Sequence, residues 1–259
     1  MLQSDKIVFF DLDGTLLNED KEILASTKEA IRCLQEKGIY TAIATGRTPN
    51  SFDWIRQETN IDTFVSINGQ YVVFEGEELL SASLPVSMLQ EISELTLEHG
   101  HGLAYCNHNG IAVNQPDHPL IWTGFKAWKA SYPAIDPVFH THSPVHQLGL
   151  FCSNEEKSIY ADRFADYSFI QWHPTAWDVL PRNASKAAGI AKVLEKMGLD
   201  TENCYAFGDG LNDIEMFKYV GTAIAMGNAS DEVKQAADVV TSSNSDDGIL
   251  NGLVRLGLL

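Results

Sequence analysis

Two aspartates separated by one residue, Asp11 and Asp13, follow the apolar run Ile7–Phe10 near the start of the chain. The run predicts a short buried strand that ends in a loop. Side chains two apart on a strand point to the same side, so both carboxylates are expected to converge on one point. Carboxylates that close repel each other unless a proton or a cation lies between them, and Mg²⁺ prefers oxygen ligands. The pair therefore indicates a magnesium site, with a solvated Asp-Gly turn as the plain alternative.

A calcium-binding loop is a second interpretation of this segment. Asp11, Asp13 and Glu22 occupy the first, third and twelfth positions of an EF-hand loop. The sixth position, which requires glycine, is Leu16, and a strand precedes the loop where a helix belongs. The sequence therefore favours magnesium over calcium.

A second acidic segment spans residues 208–213 and reads Gly-Asp-Gly-Leu-Asn-Asp. It follows another predicted strand and precedes a helix. Asp209 and Asp213 flank a glycine turn, where they could complete a metal site, although an N-capping aspartate would look the same. Open α/β sheets bind ligands at the carboxyl ends of their strands, so two such loops in one sheet favour the metal interpretation.

Two further segments carry groups that could bind a phosphoryl group. Thr45 follows the strand predicted at 39–44 and offers a hydroxyl beside the backbone N–H of Gly46. Lys186 begins a predicted helix at 185–197, where a cation opposes the helix dipole, and this suggests a nearby anion. An exposed lysine whose stem lies along the surface is the ordinary explanation.

These residues are positioned by elements that alternate between strand and helix. Strands are predicted at 7–10, 39–44 and 63–67, with a helix at 26–37, and the same alternation returns near the C-terminus. This order predicts a Rossmann-like parallel sheet wrapped by helices. The region 83–182 holds all eight histidines and four of the five tryptophans. We expect it to be an inserted α+β domain that divides the core into 1–82 and 183–259.

Taken in order, the motif residues closely resemble the haloacid dehalogenase superfamily of phosphotransferases. The match rests on Asp-Leu-Asp-Gly-Thr at 11–15, on Thr45, on Lys186 and on the segment 208–213, with a large insertion before the lysine. That insertion is similar to the C2-type cap of the Cof-like hydrolases of subclass IIB. The resemblance covers both halves of the core and is only architectural over the cap.

The resemblance implies a role for each of these residues. Asp11 would attack phosphorus and form an aspartyl-phosphate, and Asp13 would be the acid and base. Mg²⁺ would be held by the Asp11 carboxylate, the Asp13 backbone carbonyl and Asp209, while Asp213 would lie outside these direct ligands and orient Lys186. The transferring phosphoryl oxygens would be bound by four groups: Thr45, Gly46, Lys186 and Asn212.

The implied activity is the hydrolysis of a small phosphate monoester, such as a sugar phosphate, a nucleotide or a cofactor phosphate. A phosphomutase is an alternative that shares the cap type, but mutases need cationic groups in the cap and this cap is poor in arginine. A catalytically silent phosphate-binding protein is a second alternative, although every expected active-site residue is present. Dehalogenases of this superfamily lack the second aspartate that Asp13 supplies.

The cap is expected to close over the site, exclude water and select the substrate. Aromatic rings there could stack on a sugar or heterocycle, although buried tryptophans are more often part of a core. The tryptophans concerned are Trp122, Trp128, Trp172 and Trp177. His140, His142 and His146 could suggest a second metal site, but no acidic residue has a matching spacing.

Composition restricts the partners and the location. The net charge of −17 argues against binding to nucleic acid or to anionic membranes, which needs a basic surface. No apolar run approaches the roughly 20 residues that span a bilayer, and residues 1–9 lack the features of a signal peptide. The four cysteines lack metal spacing, and we expect them to be reduced and buried. The sequence therefore predicts a cytoplasmic enzyme whose partner is a small phosphorylated molecule.

Overall fold

A computed structural model of the protein describes residues 5–127 and 130–259. Its strands, in chain order, are β1 (Ile7–Phe10), β2 (Tyr40–Ala44), β3 (Thr63–Ser66), β4 (Tyr71–Phe74), β5 (Glu77–Ser81), β6 (Gly102–Asn107), β7 (Gly110–Val113), β8 (Ala134–Ile135), β9 (Gln147–Phe151), β10 (Tyr167–His173), β11 (Ala176–Pro181), β12 (Cys204–Gly208), β13 (Thr222–Ala225) and β14 (Val239–Val240). Its α-helices are α1 (Ala25–Glu36), α2 (Asp53–Thr59), α3 (Val86–His99), α4 (Pro119–Ala127), α5 (Lys157–Arg163), α6 (Lys186–Met197), α7 (Ile214–Tyr219), α8 (Asp231–Gln235) and α9 (Gly248–Arg255).

The described chain divides into two compact units. The first comprises the described residues up to Arg47 together with Ser51–Leu80 and Ser185–Leu259, and the second comprises Thr48–Asn50 and Ser81–Ala184. No helix within the described ranges is both long enough and apolar enough to cross a membrane.

The first unit is built on an eight-stranded sheet in the order β14-β13-β12-β1-β2-β3-β4-β5. The strands from β14 to β3 are parallel, and β4 runs antiparallel to β3. In β1, Val8 and Phe10 are buried in the core on one face, and Ile7 and Phe9 are buried in the core on the other. A strand that is buried on both faces has a continuous apolar sequence, as this one does. The predicted Rossmann-like parallel sheet is confirmed.

The connectivity reverses at β1. The chain continues from β1 to β2 and β3 on one side, and later enters β12 and β13 on the other side. The carboxyl ends of β1, β2 and β12 therefore surround a topological switch point, which is where open α/β sheets bind their ligands.

The predicted elements of the core differ from the observed ones by about one residue at their ends, as expected of frayed termini. The strand predicted at 39–44 begins at Tyr40, and the one predicted at 63–67 ends at Ser66. The helix predicted from 185 begins at Lys186 because Ser185 is its N-cap residue. The Ser185 hydroxyl accepts a hydrogen bond from the backbone N–H of Ala188 at 3.2 Å.

The second unit contains a six-stranded sheet in the order β10-β11-β9-β6-β7-β8. Its strand pairs are antiparallel, apart from the parallel pair of β7 and β8. Apolar residues of α3 and α5 pack with one set of strand residues, which includes Leu103 and Leu150. Apolar residues of α4 pack with a second set that includes Ala104 and Phe151. This unit is therefore the α+β type expected of an insertion.

The tryptophans and histidines singled out in the second unit differ in exposure and in hydrogen-bond partners. Trp177 is buried, Trp172 is half-buried, Trp122 is exposed, and Trp128 lies outside the described residues. The histidines considered for a metal site have separate partners. His142 Nε2 lies 2.9 Å from a carboxylate oxygen of Asp136, and His146 Nε2 lies 2.9 Å from the Ser81 hydroxyl. The four cysteines are free thiols, three of them buried, whereas Cys33 is only partly buried.

Candidate active site

Asp11 is the first residue after β1. Its backbone N–H donates to the carbonyl of Phe207 in β12 at 3.0 Å, which extends the parallel pairing by one residue. The residue is buried, and its Oδ1 accepts a hydrogen bond from the Lys186 amine at 2.6 Å. The nucleophile predicted from the sequence therefore lies at the switch point of the sheet.

Lys186 is fully buried, so the interpretation as a surface lysine is wrong. Its amine donates to Oδ1 of Asp11 and to Oδ1 of Asp213, each at 2.6 Å. Burial alone would lower the pKa of the lysine, but the charges of the two carboxylates outweigh burial and raise it. The amine therefore remains positively charged in this site.

Two glycines allow the N-terminus of α6 to approach the sheet closely. A Cβ at Gly69 would lie 2.1 Å from the backbone oxygen of Ser185, and one at Gly189 would lie 2.3 Å from a methyl group of Val65. Any side chain at these positions would push the helix away from β3. The two glycines therefore set the depth at which Lys186 enters the core.

The second acidic segment forms a tight loop after β12. Both the Asp209 N–H and the Gly210 N–H donate to Oδ2 of Asp213 at 2.9 Å. A Cβ at Gly208 would lie 2.5 Å from the carboxyl carbon of Asp213, so this turn requires glycine. Asp213 is fully buried and uses both oxygens, one to close its own loop and one to hold the lysine amine.

Asp11, Asp209 and Asp213 form a cluster in which one carboxylate oxygen from each lies within 4.8 Å of the others. The Thr15 hydroxyl donates to Asp209 at 2.7 Å. Gly14 has a φ of 82°, and a Cβ there would lie 2.1 Å from an Asp209 oxygen. The loop after β1 is thus folded against the loop after β12, which brings the two acidic motifs together.

The cluster carries more negative charge than the lysine neutralises. Burial and the charges of Asp213 and Asp209 raise the pKa of Asp11, although the neighbouring Lys186 lowers it. Burial, with a contribution from Asp213, raises the pKa of Asp209 to about 6. Three carboxylates beside one amine are a donor set that a divalent, oxygen-binding cation would fit.

Asp13 does not share the hydrogen-bond partners of Asp11, so strand alternation does not explain how its carboxylate is placed. Strand β1 ends at Phe10, so the alternation of a strand does not extend to Asp13. Its half-exposed carboxylate is instead held by Arg47, whose Nε and terminal nitrogen each donate at 2.7 Å. The Lys21 amine also donates to it at 2.7 Å. Burial would raise the pKa of Asp13, but Arg47 and then Lys21 lower it below its ordinary value.

The other predicted phosphate ligands lie at the carboxyl end of the same sheet. Thr45 follows β2 and is buried, and its hydroxyl oxygen accepts the Arg47 N–H at 3.1 Å. A Cβ at Gly46 would lie 3.1 Å from the amide oxygen of Asn68. The Asn212 amide lies 3.4 Å from the same oxygen. Asn68 therefore joins the loops that carry Gly46 and Asn212.

Some residues of the site were given no role by the sequence reasoning. Arg47 and Lys21 hold Asp13, and Thr15 holds Asp209. Arg47 and Thr15 lie within or next to the motif segments at 11–15 and 45–46, so their position in the sequence already indicated that they would be near the site. Lys21 carries no such signal, because its contact with Asp13 depends on the fold of the intervening loop.

Comparison with known proteins gives concordant results. A family model described as haloacid dehalogenase-like hydrolase matches residues 8–253. The putative phosphatase YkrA of Bacillus subtilis is 40% identical over 254 residues, which cover 98% of each chain. The crystal structure of a hypothetical protein from Geobacillus kaustophilus HTA426 is 45% identical, with a TM-score of 0.95 over 98% of this chain and 99% of that chain. The subclass IIB sugar phosphatase BT4131 is 27% identical, with a TM-score of 0.85 over 98% of this chain and 100% of that chain.

The fold and the site define a hydrolase of α/β class with a cluster of three aspartates at the switch point of a parallel sheet. The chain belongs to the haloacid dehalogenase-like hydrolase family. The resemblance to Cof-like members of subclass IIB, stated from the motif residues, is confirmed, and so is the enzyme class of phosphoric monoester hydrolase.

Proposed function

We propose that this protein is a magnesium-dependent phosphatase that hydrolyses a small phosphate monoester through an aspartyl-phosphate on Asp11. The observation that carries the proposal is the buried Lys186 amine, held 2.6 Å from both Asp11 and Asp213. A buried cation beside a reactive carboxylate is what the approach of a phosphate dianion requires, because carboxylate and phosphate repel each other. The name of the relative YkrA, a putative phosphatase, supports the same activity.

The reaction proceeds in two displacements. In the first, an Asp11 oxygen forms a bond to phosphorus, the bond to the leaving oxygen breaks, and Asp13 gives that oxygen a proton. In the second, water attacks the phosphorus of the aspartyl-phosphate, Asp13 takes a proton from the water, and the Asp11 carboxylate is released with inorganic phosphate. Two steps of this kind replace one difficult attack of water on the ester.

The phosphoryl oxygens are bound by donors from two loops and from the first residue of α6. The Lys186 amine supplies charge, and Asp213 keeps it in place because the second oxygen of Asp213 is fixed by two backbone N–H groups. The Thr45 hydroxyl, the Gly46 N–H and the Asn212 amide supply neutral hydrogen bonds. Donors that the fold holds in place reduce the reorganisation that accompanies the reaction.

The residues of the cluster fit Mg²⁺. The carboxylates of Asp11 and Asp209 and the backbone carbonyl of Asp13 would hold the ion, and all three are oxygen donors. When bound, the ion supplies positive charge that lowers the repulsion between the nucleophile and the phosphoryl group. Asp213 would not bind the ion directly. It orients the Lys186 amine, from which it accepts a hydrogen bond.

We assign the choice of substrate to the inserted region 83–182, which acts as the cap. The candidates are sugar phosphates, nucleotides and cofactor phosphates, and the name of the relative BT4131, a sugar phosphatase, supports the first class. We also place the enzyme in the cytoplasm, which is supported by its four free cysteines.

A panel of phosphate monoesters tests the proposed activity. We expect wild-type protein to release inorganic phosphate from p-nitrophenyl phosphate and from at least one metabolite class when Mg²⁺ is present. Removal of the metal with a chelator should abolish this release, and added Mg²⁺ should restore it, because the phosphate would otherwise meet an excess of carboxylates. Absence of phosphate release from every ester, or release that is indifferent to the chelator, would contradict the proposal.

Stabilisation by Mg²⁺ should depend on pH. The pKa of Asp209 in the folded protein is about 6, against an ordinary value of 3.8, and that of Asp11 is shifted in the same direction. Without metal, Asp209 therefore binds more protons in the folded than in the unfolded state above pH 3.8, and its contribution to stability falls as the pH rises through about 6. Mg²⁺ binds the ionised carboxylates, so its effect on the melting temperature should be larger at about pH 7.5 than at about pH 5.

Calorimetry with and without Mg²⁺ at the two pH values measures this difference. Asp209→Asn is the comparison variant, because it removes one titrating ligand and should reduce the gain at the higher pH. An equal gain at both pH values would show that Mg²⁺ binds elsewhere.

A further inference from the structure

Lys21 lies in a tight loop between β1 and α1 and has a left-handed backbone, with a φ of 66°. Asn18 closes this loop. Its N–H donates to the carbonyl of Glu22 at 3.0 Å, and its side-chain oxygen accepts the N–H groups of Asp20 at 3.0 Å and Glu22 at 2.9 Å. The left-handed conformation is unfavourable for a residue with a Cβ, and asparagine or glycine would adopt it more readily. A strained residue of this kind is a reason to ask what its side chain does.

The side chain of Lys21 reaches away from its nearest acidic neighbours. Glu19, Asp20 and Glu22 flank it in sequence, yet among the described residues its ion pair is with Asp13, at 2.7 Å. The loop therefore does not simply balance its own charges. It directs one amine at the carboxylate that the proposed reaction uses as its acid and base.

Asp13 is consequently held from two separate segments. Arg47, which follows β2, contacts both of its oxygens, and Lys21 contacts Oδ1. Two anchors from different parts of the chain restrict the rotation of the carboxylate more than one anchor does. A displacement of about 1 Å in a reacting group is enough to cost about 10²-fold in rate, so such restriction has a catalytic consequence.

We propose that Lys21 is a positioning residue that holds the Asp13 side chain where, once it has taken a proton from solvent, it can give that proton to the leaving oxygen. This role rests on the proposed function, because it requires Asp13 to act as the acid. In this role Lys21 acts through Asp13, so it matters most when the leaving group needs a proton and least when the leaving group is stable as an anion.

The test compares an alkyl phosphate that the wild-type enzyme hydrolyses with p-nitrophenyl phosphate. The alkoxide leaving group needs the proton, whereas p-nitrophenolate is a stable anion. Lys21→Met should lower kcat for the alkyl phosphate about fivefold to tenfold and change that for p-nitrophenyl phosphate less than about twofold, with KM preserved for both. Lys21→Arg should keep the activity on both esters. Lys28→Met is the matched control, since Lys28 pairs with Glu58 on the surface.

Lys21→Gly separates positioning from a structural role. Glycine accepts the left-handed backbone, so its melting temperature should equal or exceed that of the wild type while the loss on the alkyl phosphate persists. Equal losses on both esters, unchanged activity on both, or a lower melting temperature in Lys21→Gly would overturn the positioning role. None of these results decides the proposed function, which fails separately if the wild-type enzyme hydrolyses no ester of the panel or is indifferent to the chelator.

Discussion

Asp11→Asn should abolish turnover, with a loss of at least about 10⁴-fold in kcat, which is typical of removing a covalent nucleophile. The amide is a poor nucleophile and cannot form the acyl-phosphate bond, and no other carboxylate can replace it. Asp213 is committed to the lysine and to its own loop, and Asp209 accepts the Thr15 hydroxyl. The measurement is phosphate release from p-nitrophenyl phosphate at saturating Mg²⁺.

The fold should tolerate this change. The backbone N–H of residue 11 still pairs with Phe207, and the amide oxygen still accepts a hydrogen bond from Lys186. Asp62→Asn is the matched control, because Asp62 is an exposed carboxylate of the same unit that pairs with Arg56 and should leave kcat unchanged. Mass spectrometry of acid-quenched wild-type enzyme should detect one added phosphoryl group on Asp11. Turnover by Asp11→Asn within about tenfold of wild type would refute the aspartyl-phosphate mechanism.

The positions of the reactive groups along the chain were predictable because each follows a short strand that is buried on both faces. Ile7–Phe10 and Cys204–Gly208 are such strands, and they place their acidic loops at one edge of the sheet. Parallel pairing of neighbouring strands then brings Asp11 and Asp209 together without any further information. The position of the acidic cluster follows from the sheet topology, and the alternation of strands and helices in the sequence predicts that topology.

The direction in which each side chain points was less predictable. From the sequence, Lys186 could have been a surface residue, and its burial depends on the close approach that Gly69 and Gly189 allow. Asp13 was expected to be oriented by strand alternation with Asp11, but Arg47 and Lys21 hold its carboxylate instead. These outcomes depend on contacts between segments that are distant in sequence, and a local pattern carries no information about them.

The inserted region shows the same limit on a larger scale. Its histidines and tryptophans set it apart by composition, yet its strands were not assigned individually from the sequence. Strand β10 illustrates the reason, because it lies at the edge of its sheet and none of its residues is buried. Without an alternation of buried and exposed positions, a strand gives little periodic signal.

The buried lysine is where folding and catalysis depend most on the same contact. Lys186→Met should lower the free energy of unfolding of the metal-free protein by about 3–5 kcal/mol, the range for removing one partner of a buried ion pair. Methionine fills much of the same space, so the loss is one of charge: Asp11 and Asp213 remain buried without their cation. The measurement is denaturant unfolding of the metal-free protein. The same variant should lose about 10³-fold in kcat, because the phosphoryl group loses a preorganised positive donor.

Two further variants show whether charge is the cause. Lys192→Met removes a half-exposed lysine from the same helix, one that pairs with Glu195, and should change stability and kcat little. Adding Asp213→Asn to Lys186→Met removes one of the two unpaired carboxylates, so it should recover part of the lost stability while leaving kcat low. If Asp213→Asn instead destabilises Lys186→Met as much as it destabilises the wild type, the two residues are not coupled and the lysine acts through packing. In that case its distance of 2.6 Å from Asp11 would be a consequence of the fold and not a requirement of the chemistry.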